Sequence, residues 1–253
     1  MPTTHLIEIE NLSKHYGDKV AVQDVNLTVR GGEIFGFLGP NGAGKTTTIK
    51  MIVGLLQPTA GTVRVAGWDV QTHPLQAKAA LGYVPDQPNL YAKLTGRELL
   101  RFVGDLYSLD PAQVARRSDE LLRLFDLTAA GDDTLDSYSH GMRQKMGLAA
   151  ALVHDPKVLL LDEPTVGLDP KSARQIKDIL RQLADRGAAV FLSTHILEIA
   201  ERMCDRIGII NRGELAAMGT MAELRGGQAG SLEDIFLSLT GGAEYAEIAE
   251  VLK

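Results

Sequence analysis

Gly39-Pro40-Asn41-Gly42-Ala43-Gly44-Lys45-Thr46-Thr47 is the stretch on which the fold of this 253-residue chain turns. It satisfies the spacing G-x-x-x-x-G-K-[ST], and its flanks fit: Ile34 to Leu38 is a short apolar run readable as a buried strand, and Thr47 to Leu56 reads as a helix. The glycines let the loop curl so that successive backbone N–H groups point inward, and the helix that follows adds the positive end of its dipole. Lys45 supplies a point charge to the same place. Thr46 sets a hydroxyl where a magnesium ion between two phosphates would sit, so the pattern predicts a site for a metal-bound nucleotide.

Working outward, the chain is long enough for one large or two small domains with a substantial core. A formal net charge of −6 argues against a general nucleic-acid binder, which carries a basic field. Cys204 is the only cysteine, which excludes an internal disulfide and a cysteine-based zinc cluster; it reads as a small buried hydrophobe. The N-terminus lacks the basic-then-apolar build of a secretory leader, and no apolar run reaches the ~18 to 20 residues needed to cross a bilayer.

Around the phosphate loop, Ile7 and Ile9, then Val25, Leu27 and Val29, fall two apart and predict half-buried antiparallel strands. Val63 and Val65, between Gly61 and Gly67, predict another, giving a small β layer beside the loop. Val158 to Leu161, Ala188 to Leu192 and Ile207 to Ile210 are continuous apolar runs, as strands covered on both faces should be. Ile176, Ile179, Leu180 and Leu183 mark an amphipathic helix stopped by Gly187. From about Thr95 to Ala130 the pattern is helical with no strand: Leu99, Phe102, Val103 and Leu106, then Val114, Leu121, Leu122 and Phe125. That reads as an inserted α-helical subdomain. Asn211-Arg212-Gly213 signals a turn, Thr220 with Glu223 a capping box, and Ala243 to Lys253 one more short helix.

Two further features narrow the chemistry. Val158-Leu159-Leu160-Leu161-Asp162-Glu163 is an apolar strand ending in adjacent carboxylates. Beside a phosphate loop, Asp162 is placed to hold magnesium opposite Thr46, and Glu163 to orient or deprotonate the attacking water. A glutamate with a pKa near ~4.3 is a weak base, so its contribution comes from position and field. His195 follows Val190-Phe191-Leu192-Ser193-Thr194 and should stand at the C-terminal end of a central strand, where it can hydrogen-bond a γ-phosphate.

With these residues in view the chain resembles the nucleotide-binding subunits of ATP-binding-cassette (ABC) transporters, over nearly its whole length and in the family's motif order. Tyr16 looks like the aromatic that stacks on adenine, Tyr138-Ser139-His140-Gly141-Met142 like the family signature, Gly167-Leu168-Asp169 like the loop that links two nucleotide sites across a dimer, and His195 like the switch histidine. The resemblance implies an α/β fold: a P-loop NTPase core with a flanking antiparallel β layer and an inserted helical subdomain, the ABC ATPase fold. It implies one cassette over residues 1–253, with a core over about 1–85 and 155–225, a helical subdomain over about 86–154, and a helical tail over about 226–253. It also implies ATP and Mg2+ as cofactors, bound by Tyr16, the loop from Gly39 to Thr47, Ser139, Gly141 and Asp169, with Glu163 and His195 catalytic.

The chain departs from the family twice. The signature usually reads Leu-Ser-Gly-Gly-Gln, whereas His140 and Met142 stand here for glycine and glutamine. Ser139 keeps the hydroxyl, Gly141 an unobstructed backbone N–H, and the following helix its N-terminal dipole, so phosphate contact should survive. The loop that usually carries a glutamine contacting Mg2+ and the attacking water has Asp86 at the family spacing, with Gln87 one residue late. Asp86 is expected to take the role, directly on the metal or through water.

In the family the signature of one subunit completes the nucleotide site of another, so a chain with one copy of each motif implies a homodimer or a heterodimer. A membrane-spanning subunit would dock on the helical insertion and the adjacent Asp86 to Tyr107 segment, which places the chain peripherally on the cytoplasmic face. Ser231-Leu232-Glu233-Asp234-Ile235-Phe236-Leu237 and the two departures resemble subunits of exporter-type systems. The same motifs would serve a soluble ABC ATPase that drives a cytosolic assembly such as an iron–sulfur scaffold. A nucleic-acid ATPase of this family is disfavoured by the acidic charge, the single cassette and the lack of a long heptad insertion.

Overall fold

In the computed structural model, residues 4–226 and 231–241 are described. Strands β1 (His5–Tyr16) and β2 (Lys19–Arg30) pair antiparallel, with Ile7 opposite Val29 and Ile9 opposite Leu27. The alternation seen in sequence is the burial pattern: Ile7, Ile9, Val25, Leu27 and Val29 all lie in the core. β3 (Ile34–Leu38) is wholly buried and runs into the phosphate loop and helix α1 (Lys45–Ile52). This helix starts two residues earlier and ends four earlier than its sequence pattern suggests. Gly44 takes φ +111° and lets the helix begin at Lys45; Gly54 at φ +68° turns the chain away, and the Leu55 and Leu56 N–H groups both close back on the Lys50 carbonyl. β4 (Ala60–Val65) and β5 (Trp68–Asp69) complete a four-stranded sheet in the order β2-β1-β4-β5.

The chain then forms α2 (Pro74–Ala79), β6 (Leu81–Val84), α3 (Gly96–Leu106), α4 (Pro111–Leu124), α5 (His140–Leu152), β7 (Val158–Asp162), α6 (Pro170–Asp185), β8 (Ala189–Ser193), α7 (Leu197–Met203), β9 (Arg206–Asn211), β10 (Glu214–Gly219), α8 (Met221–Arg225) and α9 (Leu232–Thr240). Six of the strands make the central sheet, in the order β10-β9-β3-β8-β7-β6, parallel except for the β9–β10 hairpin. That hairpin turns on Arg212 at φ +51° and Gly213 at φ +87°, both left-handed as a two-residue turn requires. The helix expected over 243–253 lies outside the described residues.

Alternate residues of the parallel strands feed two cores. Phe35, Phe37, Leu160 and Phe191 face the antiparallel layer and α1, while Ile34, Leu159, Leu161, Val190 and Leu192 face α5, α6 and the helical insertion. The rings of Phe35 and Phe37 lie 5.6 and 5.4 Å from that of Phe191, and each fully buried ring contributes about 1.5–3 kcal/mol. Burial on both faces is why these strands read as unbroken apolar runs. α9 closes a third, smaller cluster through Leu232 on Leu38, Ile207 and Ile209.

Between Thr95 and Ala130 the structure is helical apart from its turns. Thr95 caps α3 in a reciprocal box with Glu98, and Asp110 caps α4. Not all of the predicted apolar stripe is covered: Leu99, Val114, Leu121, Leu122 and Phe125 are buried, whereas Phe102 and Leu106 are exposed.

Candidate functional site

The register of the central sheet assembles the site. Asp162 of β7 pairs with Ser193 of β8, Phe37 of β3 pairs with the same Ser193, and Val84 of β6 pairs with Leu161. The four neighbouring strand ends therefore finish in one row. The residues that follow them, Gly39 onward, Glu163, Thr194-His195 and Pro85-Asp86, leave the sheet along one edge, as ligand sites of open parallel sheets do.

The loop from Gly39 to Gly44 is held by Ala43 N–H donating to the Pro40 carbonyl at 3.2 Å, with Gly42 at φ +80°. Gly44 admits no side chain: a Cβ there would stand 2.7 Å from the Ala21 carbonyl oxygen. The Lys45 ammonium donates to the Gly39 and Pro40 carbonyls at 2.5 and 3.1 Å. Burial pulls its pKa below the ordinary lysine value, while Glu163 and Asp162 push the other way. Thr48, one turn into α1, donates its hydroxyl to the Gly44 carbonyl, which steadies the helix start.

A cleft of about 510 Å3 opens above the loop. It is lined by Asn41, Gly42, Gly44, Lys45, Thr46 and Thr47 of the loop and helix start. Tyr16, Lys19, Val20 and Ala21 also line it, as do Asp86, Asp162 and Glu163. The volume suits a nucleotide. Asp162 is buried and accepts a short hydrogen bond from the Ser193 hydroxyl. Burial, with smaller contributions from the charges of Asp162 and Asp86, drives the Tyr83 phenol pKa up to about 12.

Glu163 has φ +51°, an uncommon backbone for a glutamate, and its N–H donates to the Ser193 carbonyl at 3.0 Å. Its Oε1 lies 2.8 Å from His195 Nδ1; its Oε2 is buried and has no hydrogen-bond partner among the described residues. An ionised carboxylate only accepts, so Nδ1 carries the proton of that contact. His195 itself is 60% exposed, and its other ring nitrogen has no hydrogen-bond partner among the described residues.

Oxygen donors of this kind suit Mg2+. Thr46, Asp162 and Asp86 line one cleft, yet among the described residues no three His, Cys, Asp or Glu side chains converge on a point as a metal cage would. A Mg2+ held partly by nucleotide phosphates and only one or two protein groups fits such a set.

The structure separates other sequence candidates. Asp86 lines the cleft and Gln87 does not. Gly39, Pro40 and Ala43 act through their backbone, holding Lys45 or shaping the loop. Ser139 caps α5 by accepting from Met142 N–H at 3.3 Å, and neither it nor Gly141 reaches this cleft. Asp169 caps α6 by accepting from Ser172 N–H at 3.0 Å, and the Ser172 side chain and N–H hold its carboxyl below the usual range.

Arg212 and Gly213, which the sequence marks only as a turn, line the cleft. Gly213 N–H donates to the Ala43 carbonyl at 2.9 Å, and its own carbonyl accepts from Gln23 N–H at 2.8 Å, so the hairpin is pinned between the phosphate loop and β2. The only sequence signal for Arg212 was its charge at a turn tip.

A second groove of about 450 Å3 is apolar and lies between β6, α3 and α5. Tyr91 and Leu106, 60% and 65% exposed, stand at its edge.

The family profile described as ABC transporter matches residues 22–166. The linearmycin resistance ATP-binding protein of Bacillus subtilis is 41% identical over 219 residues, 87% of this chain and 70% of that one. A solved ATP-binding subunit of an ABC transporter superposes with a TM-score of 0.88 at 35% identity, covering 92% of this chain and 99% of that one. An ATP-binding cassette solved as a dimer in a post-hydrolysis state with ADP and phosphate superposes at 0.77 with 26% identity, covering 85% and 98%. Among the described residues no helix is long and apolar enough to cross a membrane.

Proposed function

The chain belongs to the ABC transporter family as an ATP-binding, ATP-hydrolysing subunit, and from that premise we propose that two such cassettes close on ATP to drive export through a membrane-spanning partner. One observation carries the dimer reading. A single chain holds the phosphate loop and carboxylates in one cleft, while Ser139 and Gly141, at the N-terminus of α5, lie outside it. A second copy supplying that helix end would complete the site, and the dimeric ADP- and phosphate-bound relative supports this arrangement.

In this reading Tyr16 stacks on adenine. The backbone of Gly39 to Thr47 and Lys45 grip the β- and γ-phosphates, and Thr46, Asp162 and Asp86 would hold Mg2+, which would neutralise charge on the phosphates. Glu163 orients the attacking water through Oε2, the oxygen that His195 leaves uncommitted. With Glu163 on Nδ1, neutral His195 would show only a lone pair at Nε2, so contact with an anionic γ-phosphate calls for the imidazolium. Asp169 sits on the loop that faces the other cassette. The phosphate core, the helical subdomain over about 86–154 and the tail then act as one cassette.

The apolar groove edged by Tyr91 and Leu106 supports docking of the membrane subunit there, at the cytoplasmic face. Outward transport is favoured by the linearmycin resistance relative, since resistance follows from removal of a toxic compound. Capture of the tagged chain from detergent-solubilised native membranes tests the reading. A multi-helix membrane protein in fixed stoichiometry is the expected result. Recovery of soluble partners alone would overturn the transport half and leave the hydrolysis.

A further inference from the structure

Position 140, where this chain carries histidine in place of the family's glycine, has a defined seat. His140 is the first residue of α5, and its Nε2 lies 3.3 Å from the Val166 carbonyl oxygen. The ring rests on Gly167, which has φ +73°; a Cβ there would come within 3.0 Å of the same Nε2. One residue on, Gly141 faces Leu168, and a Cβ at 141 would lie 3.4 Å from Leu168 Cδ2. The start of α5 is thus seated on the 164–168 turn, and the absence of a side chain at Gly167 leaves the space the imidazole uses.

That turn leads directly from Glu163. Val166 N–H donates back to the Glu163 carbonyl at 3.3 Å, and Leu168 N–H to the Thr165 carbonyl at 3.4 Å. Two hydrogen bonds therefore separate the His140 ring from the backbone of the residue that bears the site's uncommitted carboxylate oxygen. Glu163 is in a left-handed conformation that its surroundings must hold. A carbonyl only accepts, so His140 must donate from Nε2; the neutral Nε2–H tautomer and the imidazolium both can, and the link does not depend on which is present.

We propose that His140 is a positioning residue: through Val166 it fixes the turn that sets the Glu163 carboxylate, coupling the signature helix of a chain to the hydrolytic carboxylate of the same chain. The inference rests on the reading of Glu163 as the hydrolytic carboxylate. A 3.3 Å bond at an exposed site is worth little in stability, so its effect belongs in placement of the reacting groups.

The test is steady-state phosphate release, ATP KM and thermal midpoint of the purified full chain for His140→Ala and His140→Gln. Alanine is expected to lower kcat about tenfold with KM and midpoint unchanged. Glutamine carries an amide N–H at nearly the reach of Nε2 and should restore most of the rate. An unaltered kcat in the alanine variant, or a glutamine variant as slow as alanine, overturns the proposal.

Mixed dimers separate action within a chain from action across the interface. One chain carries Glu163→Gln so that a single site turns over, and His140→Ala is placed on one chain or the other. A greater fall when it sits on the chain with intact Glu163 is expected; a greater fall from the opposite chain refutes coupling within the chain. If Glu163→Gln alone turns over like the wild type, the reading of Glu163 has failed, and that outcome is visible before His140 is changed.

Discussion

Glu163 permits a prediction in which the usual ranking of alanine and glycine inverts. At ordinary positions glycine is less stabilising than alanine by about 0.5–1 kcal/mol, because the unfolded chain gains freedom. Glu163 sits at φ +51°, where any residue with a Cβ costs roughly 1–2 kcal/mol. Alanine at 163 keeps that cost and glycine removes it. The difference leaves Glu163→Gly about 0.5–1 kcal/mol more stable than Glu163→Ala, which for a chain of this size raises the thermal midpoint by about 1–4 °C. Both variants lose the carboxylate and should release phosphate at least ~100-fold more slowly than the wild type. Calorimetry in nucleotide-free buffer, with phosphate release on the same samples, checks both halves. An alanine variant more stable than the glycine variant would show that the left-handed backbone stores no strain. A glycine variant that keeps a tenth of the wild-type rate would remove Glu163 from the chemistry. The expected pair of results means that the chain tolerates a strained backbone because it aims a carboxylate into the cleft.

Three further outcomes test the site. Glu163→Gln keeps the shape and removes the charge, so it should bind MgATP, dimerise and hydrolyse at least ~100-fold more slowly; a variant that stays monomeric at saturating MgATP by light scattering sinks the dimer reading. Asp86 lines the cleft and Gln87 does not, so Asp86→Asn should lower turnover while Gln87→Ala leaves it near wild type, and the reverse ranking would reassign the role. Arg212→Ala should raise the ATP KM about fivefold at unchanged kcat and weaken ADP binding by a similar factor, because the hairpin abuts the loop beside Ala43 and not the carboxylate end; a fall in kcat alone would place the guanidinium on the γ-phosphate.

What was legible in the sequence divides along a physical line. β3, β7 and β8 are covered on both faces, so each appears as an unbroken apolar run, and each ends in residues whose chemistry is local: the loop from Gly39, the Asp162-Glu163 pair, and His195. β6 is not legible in the sequence, because it is four residues long and contains Gly82, whose missing Cβ lets the Ala151 carbonyl approach; no period survives in so short a segment. Yet β6 carries Asp86 to the cleft. The helical insertion shows the converse limit. Periodicity marked Phe102 and Leu106 as apolar-face residues, but a period cannot say whether a face is covered, and these two are exposed.

Arg212 and Ser139 mark the point where sequence reading ends for a stronger reason. A turn signal at 211–213 describes the hairpin alone, while the bond from Gly213 N–H to the Ala43 carbonyl, made between distant parts of the chain, turns that hairpin into a wall of the nucleotide cleft. Ser139 reads in the sequence as a signature residue keeping a hydroxyl, and the structure uses that hydroxyl to cap α5 by accepting from Met142 N–H. The same structure keeps the capped helix end out of its own chain's cleft and seats it through His140 on the turn after Glu163. If that helix end binds phosphate, as proposed, then outside its own chain's cleft it is half of a contact. In the proposed dimer it would gain a phosphate only when another cassette presents one, so closure of the pair would be linked to occupancy of the cleft, and hydrolysis, by changing what the helix end can hold, would shift both.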